Sequence, residues 1–115
     1  MSAFEAFEAK RKTALAIIEQ RRSAARKLKT AGSKGLDAVI NQLNDQETAL
    51  DDAIFVAEMS DPAAVRAFAA IDAATAEMNR VAARMVDATG MVANVAEMAT
   101  SVAAIANAAC AKGDC

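Results

Sequence analysis

The stretch RKLKTAGSKGLDAVINQLNDQETALDD, residues 26–52, decides the fold, because a basic segment, a break and an acidic segment follow one another in it. Residues 1–35 carry nine Lys and Arg against three acids, whereas residues 36–61 carry seven acids and no basic residue. Gly32 and Gly35 separate the two segments, and glycines this close together are typical of a turn. We therefore expect the basic segment to fold back on the acidic one.

Such a hairpin would place basic residues of the first segment beside acidic residues of the second. Counting outward from the turn places Lys29 near Asp37 and Lys10 near Glu58. One exposed ion pair stabilises a protein by only a few tenths of a kcal/mol. Because residues 36–61 carry seven acids and no base, every contact between one of them and a basic residue of 1–35 is attractive. The charges together therefore favour this hairpin.

The composition predicts an all-α protein. A chain of 115 residues forms one domain, which we place at 1–115. It is alanine-rich, contains one Pro and lacks Trp, Tyr and His. Ala, Glu, Lys, Arg, Leu and Met favour helices, and the β-branched residues form no alternating run that would indicate a strand.

Local signals at the helix ends predict an antiparallel bundle of four helices with coiled-coil-like packing. Ser2 and Glu5 match the S-x-x-E capping box of a helix start. Asp61 is predicted as an N-cap, with Pro62 in the first helical position, where its missing N–H costs nothing. The predicted helices span about 3–30, 36–59, 62–89 and 95–111.

An alternative fold joins the last two helices into one continuous helix. The apolar residues of 71–109 support it, because they keep a single seven-residue register. A helix over 62–111 would give a three-helix form or one long helical hairpin. Gly90, a natural helix terminator, and Asn94, a plausible N-cap, oppose it. The long hairpin would also set residues 21–29 against residues 92–100, which offer one acid, Glu97, so we prefer the four-helix bundle.

The sequence disfavours an enzyme. Without His, it lacks nucleophile–His pairs, the common zinc ligand sets and the Glu-x-x-His motifs of di-iron bundles. The AGSKG stretch at 31–35 does not have the spacing of a phosphate-binding loop. We expect no catalytic residues, no cofactor and no metal.

The last predicted helix has a wide apolar face with small residues between the large ones, a pattern that lets helices approach closely. This face fits either the fourth core helix or a surface for association with another copy or another helical protein. With only four aromatic residues, the core is thin, and association would bury more apolar area. The association candidates are Met91, Val92, Val95, Met98, Val102 and Ile105.

The basic residues of the first helix are the second candidate surface. They flank its apolar face, so we expect them to reach acids on a neighbouring or partner helix. Nucleic acid or an anionic surface is an alternative that the sequence does not favour, because aromatic platforms for base stacking are lacking. The candidates for contact with a charged partner are Arg11, Arg22, Arg26 and Lys29.

The sequence thus predicts a non-enzymatic helical interaction protein, oligomeric, that serves as an assembly subunit or adaptor. One alternative is a small immunity- or antitoxin-type inhibitor that binds through its acidic second helix, and another is a nucleic-acid binder that uses the first. Cytoplasm is the expected compartment, since no signal peptide or membrane span is apparent. Leaderless secretion and incorporation into a larger assembly stay open. Cys110 and Cys115 predict free thiols or an intermolecular disulfide.

Overall fold

The computed structural model describes residues 2–109, which form four α-helices and no strand. The predicted all-α class and four-helix bundle are therefore confirmed. The first two helices have the predicted bounds. Cys110, Cys115 and the last two residues of the predicted fourth helix lie outside the described residues. The helices are α1 (Ala3–Thr30), α2 (Leu36–Met59), α3 (Asp61–Ala82) and α4 (Ala88–Ala109).

The turn between α1 and α2 follows the sequence prediction. Gly32 and Gly35 have φ angles of +103° and +82°, which residues with a Cβ rarely adopt. The turn brings Lys29 Nζ within 2.5 Å of Asp37 Oδ1, the pairing expected from the charges. Lys10 was expected near Glu58, but its Nζ lies 3.0 Å from a carboxylate oxygen of Asp72 on α3.

A single residue, Ser60, connects α2 to α3. Asp61 was expected to cap α3, but Ser60 does so: its backbone is extended, and its Oγ accepts a hydrogen bond from the N–H of Ala63 at 3.2 Å. Asp61 and Pro62 therefore occupy the first two helical positions. The prediction was wrong by one residue because Ser and Asp are both good N-caps, and the sequence does not show which backbone is extended.

The junction between α3 and α4 corrects the predicted bounds 62–89 and 95–111, and it also excludes the continuous helix. α3 ends at Ala82, and α4 begins at Ala88. Asp87 provides the new start, because its Oδ1 accepts a hydrogen bond from the Gly90 N–H at 2.7 Å. Asn94 is not an N-cap, since its side-chain amide donates to the Gly90 carbonyl from within α4.

Gly90 belongs to the first turn of α4, although the sequence suggested that it ends a helix. A Cβ at this position would lie only 2.2 Å from the carbonyl oxygen of Arg84. The glycine is therefore required by the close approach of the preceding turn. That approach is a tertiary feature, which explains why the sequence reasoning placed the break about seven residues too late.

The four helices form two antiparallel hairpins that pack side by side. α1 contacts α2 and α3, α4 contacts the same two helices, and α1 and α4 scarcely touch. Across the two hairpins, neighbouring helices run parallel: Lys10 meets Asp72, and farther along both helices Arg21 reaches the carbonyl of Met85 just after α3. The basic helix α1 and the nearly uncharged α4 thus lie on opposite sides of the bundle.

The core extends through all four helices and consists mostly of aliphatic and methionine side chains. Phe7 is its one fully buried aromatic residue among those described. Alanines at the helix contacts, such as Ala14, Ala25 and Ala67, are also buried and let the helices approach closely. The largest buried side chains include Ile18, Leu43, Leu50, Ile71, Met78, Met85, Met91, Met98 and Ile105.

Candidate interaction surface

Five of the six candidates for an association face point into the bundle. Met91, Val95, Met98, Val102 and Ile105 are buried in the core of the bundle. Val92 alone is exposed, with 53% of its surface accessible. The inner side of α4 thus serves as the fourth core helix, the other interpretation of the same pattern. Association through the five buried residues would require α4 to leave the bundle.

The opposite side of α4 forms a surface that the sequence reasoning did not single out. We call it the outer face of α4, and it bears no charged side chain. The one charged residue of α4, Glu97, points toward α3, where it lies 3.3 Å from Arg80 and 3.2 Å from Arg84. The outer face consists of Val92, Ala93, Ala96, Ala99, Thr100, Ala103, Ala104 and Asn107.

A sequence signal for the outer face existed. The chain has no charged residue from Met98 to Ala111, although Ser, Thr and Asn interrupt the stretch. A core helix with one solvent-facing side normally places charges on that side. Charged side chains are absent from the described part of this stretch. The solvent-facing side of α4 therefore differs from those of the other three helices.

Shallow grooves border the outer face on both sides. The groove toward α3 has a volume of about 530 Å³, and its floor is largely alanine, including Ala73, Ala74 and Ala104. The groove toward α2 is smaller, about 250 Å³, and is lined in part by Ala99 and Ala103. Alanine side chains leave room for a helix to approach closely, so the two grooves extend the outer face on either side.

Gln46 of α2 lines the smaller groove and is only 3% exposed. Its Nε2 donates to the backbone carbonyl of Val95 at 3.3 Å, which links α2 to α4. Its Oε1 is buried and has no hydrogen-bond partner. A buried acceptor without a donor costs about 1–3 kcal/mol. The groove therefore contains an unsatisfied polar group.

The basic candidates on α1 are mostly engaged within the chain. Arg11 contacts Glu8 at 2.8 Å and Asp51 at 3.0 Å, and Lys29 pairs with Asp37. Arg22 lies 3.0 Å from a carboxylate oxygen of Glu47 and also donates to the side-chain carbonyl of Asn44. Arg26, by contrast, is exposed and has no ion-pair partner among the described residues.

About half of the charges of the α1–α2 hairpin are left without an ion-pair partner in the described chain. The unpaired cations are Lys12, Arg26, Lys27 and Lys34, and all of them are exposed. Arg21 binds no carboxylate, since its guanidinium donates to the Met85 carbonyl at 3.0 Å. On α2, Asp45, Asp52 and Glu58 are exposed and unpaired. Among the described residues, only Arg11, Arg22 and Lys29 of the nine cations therefore pair with acids of α2.

The α3–α4 hairpin contains the clearest electrostatic coupling. Arg80 forms a hydrogen-bonded ion pair with Glu77, one helical turn earlier. That hydrogen bond lowers the pKa of Glu77 below its usual value of 4.5. Burial opposes this shift, and the charges of Arg80 and Arg84 lower the pKa further. The same pairing raises the pKa of Arg80. This exposed network holds α3 to α4 at the edge of the larger groove.

Metal binding and membrane insertion receive little structural support. Among the described residues, no three Cys, Asp or Glu side chains are close enough to hold a metal ion. One helix segment, Ala88–Ala108, has the length and mean hydropathy of a membrane span, and a third of its most apolar window is buried in the bundle. A core helix of a bundle has the same properties.

No protein family, curated protein or solved structure matches this chain.

Proposed function

We propose that this protein is a non-enzymatic helical interaction protein that acts as an assembly subunit or adaptor, and that the outer face of α4 is its docking surface. One observation carries the proposal: α4 has a charge-free outer face in a bundle whose other helices expose charges. Charges must be desolvated or paired when a helix docks on them, whereas uncharged small residues impose no such cost. We expect the protein in the cytoplasm.

The shape of this surface suits another helix. Ridges of one helix pack into the grooves of its neighbour at 8–10 Å between axes. Alanines line part of both grooves beside α4, with Asp45, Glu77 and Glu97 also in their lining, so a helix can lie along the alanines at close range. Burial of apolar area then contributes about 25 cal/mol per Å².

Site-specific photo-crosslinking in cells tests this proposal. A photoreactive amino acid at Ala103, on the outer face, should give a discrete crosslinked protein. The matched control is the same substitution at Ala16, which is exposed on α1, on the opposite side of the bundle. Equal crosslinking from both positions, or none from Ala103, would refute the outer face as a docking surface.

A second candidate function, binding of nucleic acid through α1, has some support from the four unpaired cations. Phosphate contacts supply most non-specific affinity, but four cations spread from Lys12 to Lys34 form a sparse site. The inhibitor function is supported less, because α2 uses Asp37, Glu47 and Asp51 in pairs with α1.

A further inference from the structure

We propose that one end of the bundle docks on the surface of an anionic lipid bilayer. This end, which we call the basic tip, comprises the α1–α2 and α3–α4 turns with the helix ends beside them, residues 26–37 and 83–89. It lies apart from Ala103 on the outer face of α4, so the inference goes beyond the proposed function. Charge complementarity and one exposed aliphatic side chain support it.

The two turns of the basic tip lie side by side. Arg21 of α1 donates to the carbonyl of Met85 in the α3–α4 turn at 3.0 Å. Lys34 of the α1–α2 turn lines a shallow hollow together with Ala88 and Thr89 at the start of α4. Both turns therefore contribute side chains to one surface.

The basic tip is positively charged, with five cations against two acids. Lys29 pairs with Asp37, whereas three of the cations are exposed and have no ion-pair partner among the described residues. These three are Arg26, Lys27 and Lys34. Each Lys or Arg near an anionic bilayer strengthens binding about fivefold. The unpaired cations therefore fit a surface of lipid phosphates and carboxylates.

The opposite end of the bundle is acidic, so charge is polarised along the protein. Residues 1–12 and 51–66 carry six acids and four cations. The bundle extends 47 Å along its longest axis, whereas charges in solution are screened over about 8 Å at physiological ionic strength. An anionic surface therefore attracts the basic tip without repelling the acidic end, which favours an end-on orientation.

Val86 favours lipid over other anionic partners. It lies in the α3–α4 turn and is 70% exposed, although its neighbour Met85 is buried. An aliphatic side chain beside cations suits the bilayer interface, where hydrocarbon lies next to the headgroups. Nucleic-acid bases stack on aromatic side chains, and the basic tip contains none. The cytoplasmic leaflet is anionic, which agrees with the expected compartment.

Co-sedimentation of the purified full chain with lipid vesicles tests the inference, with circular dichroism on each variant to establish that it is folded. The wild type should bind vesicles made of equal parts of phosphatidylserine and phosphatidylcholine, and far less to phosphatidylcholine alone. Binding should fall as salt is raised from about 0.1 M to about 1 M, because the screening length falls from about 10 Å to about 3 Å.

Lys34→Glu should weaken binding to the anionic vesicles about 25-fold, since it replaces an attraction by a repulsion of similar size. Lys12→Glu is the matched control. It makes the same charge change at an exposed, unpaired lysine about 27 Å before the end of α1, and it should change binding less than about twofold. Equal effects of the two variants, or no binding of the wild type at low salt, would overturn the inference.

Val86→Ser separates lipid from other polyanions. It should weaken vesicle binding about tenfold, because it removes the aliphatic contact, and leave binding to single-stranded DNA unchanged. Val65→Ser, at a 56% exposed valine near the acidic end, should leave vesicle binding unchanged. If Val86→Ser has no effect while Lys34→Glu weakens vesicle and DNA binding alike, lipid is the wrong partner. Crosslinking from Ala103 tests the proposed docking surface independently of these results.

Discussion

Gly90→Ala should destabilise the protein, although Gly→Ala inside a helix ordinarily stabilises it. The added methyl would lie 2.2 Å from the Arg84 carbonyl oxygen, well inside van der Waals contact. That oxygen belongs to the backbone, so the turn from α3 must move. The Asp87 Oδ1 that caps the Gly90 N–H would lie 3.1 Å from the new methyl, and its cap would be disturbed as well.

The magnitude follows from three contributions. Overpacking costs about 1–3 kcal/mol, and loss of the Asp87 cap costs about 1 kcal/mol more. The higher helix propensity of Ala returns about 1 kcal/mol. The free energy of unfolding should therefore fall by about 1–3 kcal/mol.

Urea unfolding followed by far-UV circular dichroism measures this change. Thr89→Ala is the matched control, because Thr89 is an exposed neighbour in the same helical turn and tests helix propensity alone. Its effect should be small and stabilising. In a continuous helix over 62–111, Gly90→Ala would raise stability by about 1 kcal/mol. A stabilising Gly90→Ala would thus refute the turn at 83–87.

Three further predictions concern the charged residues. Arg21→Met should lower the free energy of unfolding, measured in urea, by about 1.5–3 kcal/mol, because the Met85 carbonyl loses a charged donor. In the control Arg26→Met, which removes an unpaired side chain, the free energy of unfolding should change by less than about 0.5 kcal/mol. Since the pKa of Glu77 is lowered on folding, its contribution to stability is present above pH 4.5 and is lost as pH falls below that value. In the Glu77→Gln variant, the urea midpoint should therefore depend less on pH below pH 4.5 than in the wild type. The same pH dependence in both proteins would contradict the pairing of Glu77 with Arg80. Single-stranded DNA should bind no more tightly than about 10⁻⁴–10⁻⁶ M at physiological salt by fluorescence anisotropy. Tighter binding that weakens steeply as salt is raised would instead favour α1 as a nucleic-acid site.

The first half of the fold was accessible from the sequence because its signals are local. Gly32 and Gly35 provide the backbone conformation for the turn. The charges on either side identify which helices pair, as the contact between Lys29 and Asp37 shows. The ion-pair partner of Lys10 could not be predicted from the sequence, since Asp72 comes near Lys10 only when α3 packs on α1.

The second half depends on tertiary contacts that a single sequence does not encode locally. A glycine can end a helix or permit a close backbone approach. At Gly90, only the closeness of the Arg84 carbonyl distinguishes the two roles. The apolar pattern of α4 correctly indicated a helix with a wide apolar face. It did not distinguish the core side, with Met98, from the outer side, with Ala103, because nearly all residues of that segment are uncharged.

The two sides of α4 provide the most direct test of the account, through urea unfolding of Ala103→Glu and Val95→Asp compared with the wild type, followed by circular dichroism. The account predicts that Ala103→Glu stays folded and changes the free energy of unfolding by less than about 0.5 kcal/mol, because Ala103 is exposed. A core substitution such as Val95→Asp should instead unfold the bundle, because it buries an unpaired carboxylate. An Ala103→Glu variant that unfolds, or a Val95→Asp variant as stable as the wild type, would contradict the central claim.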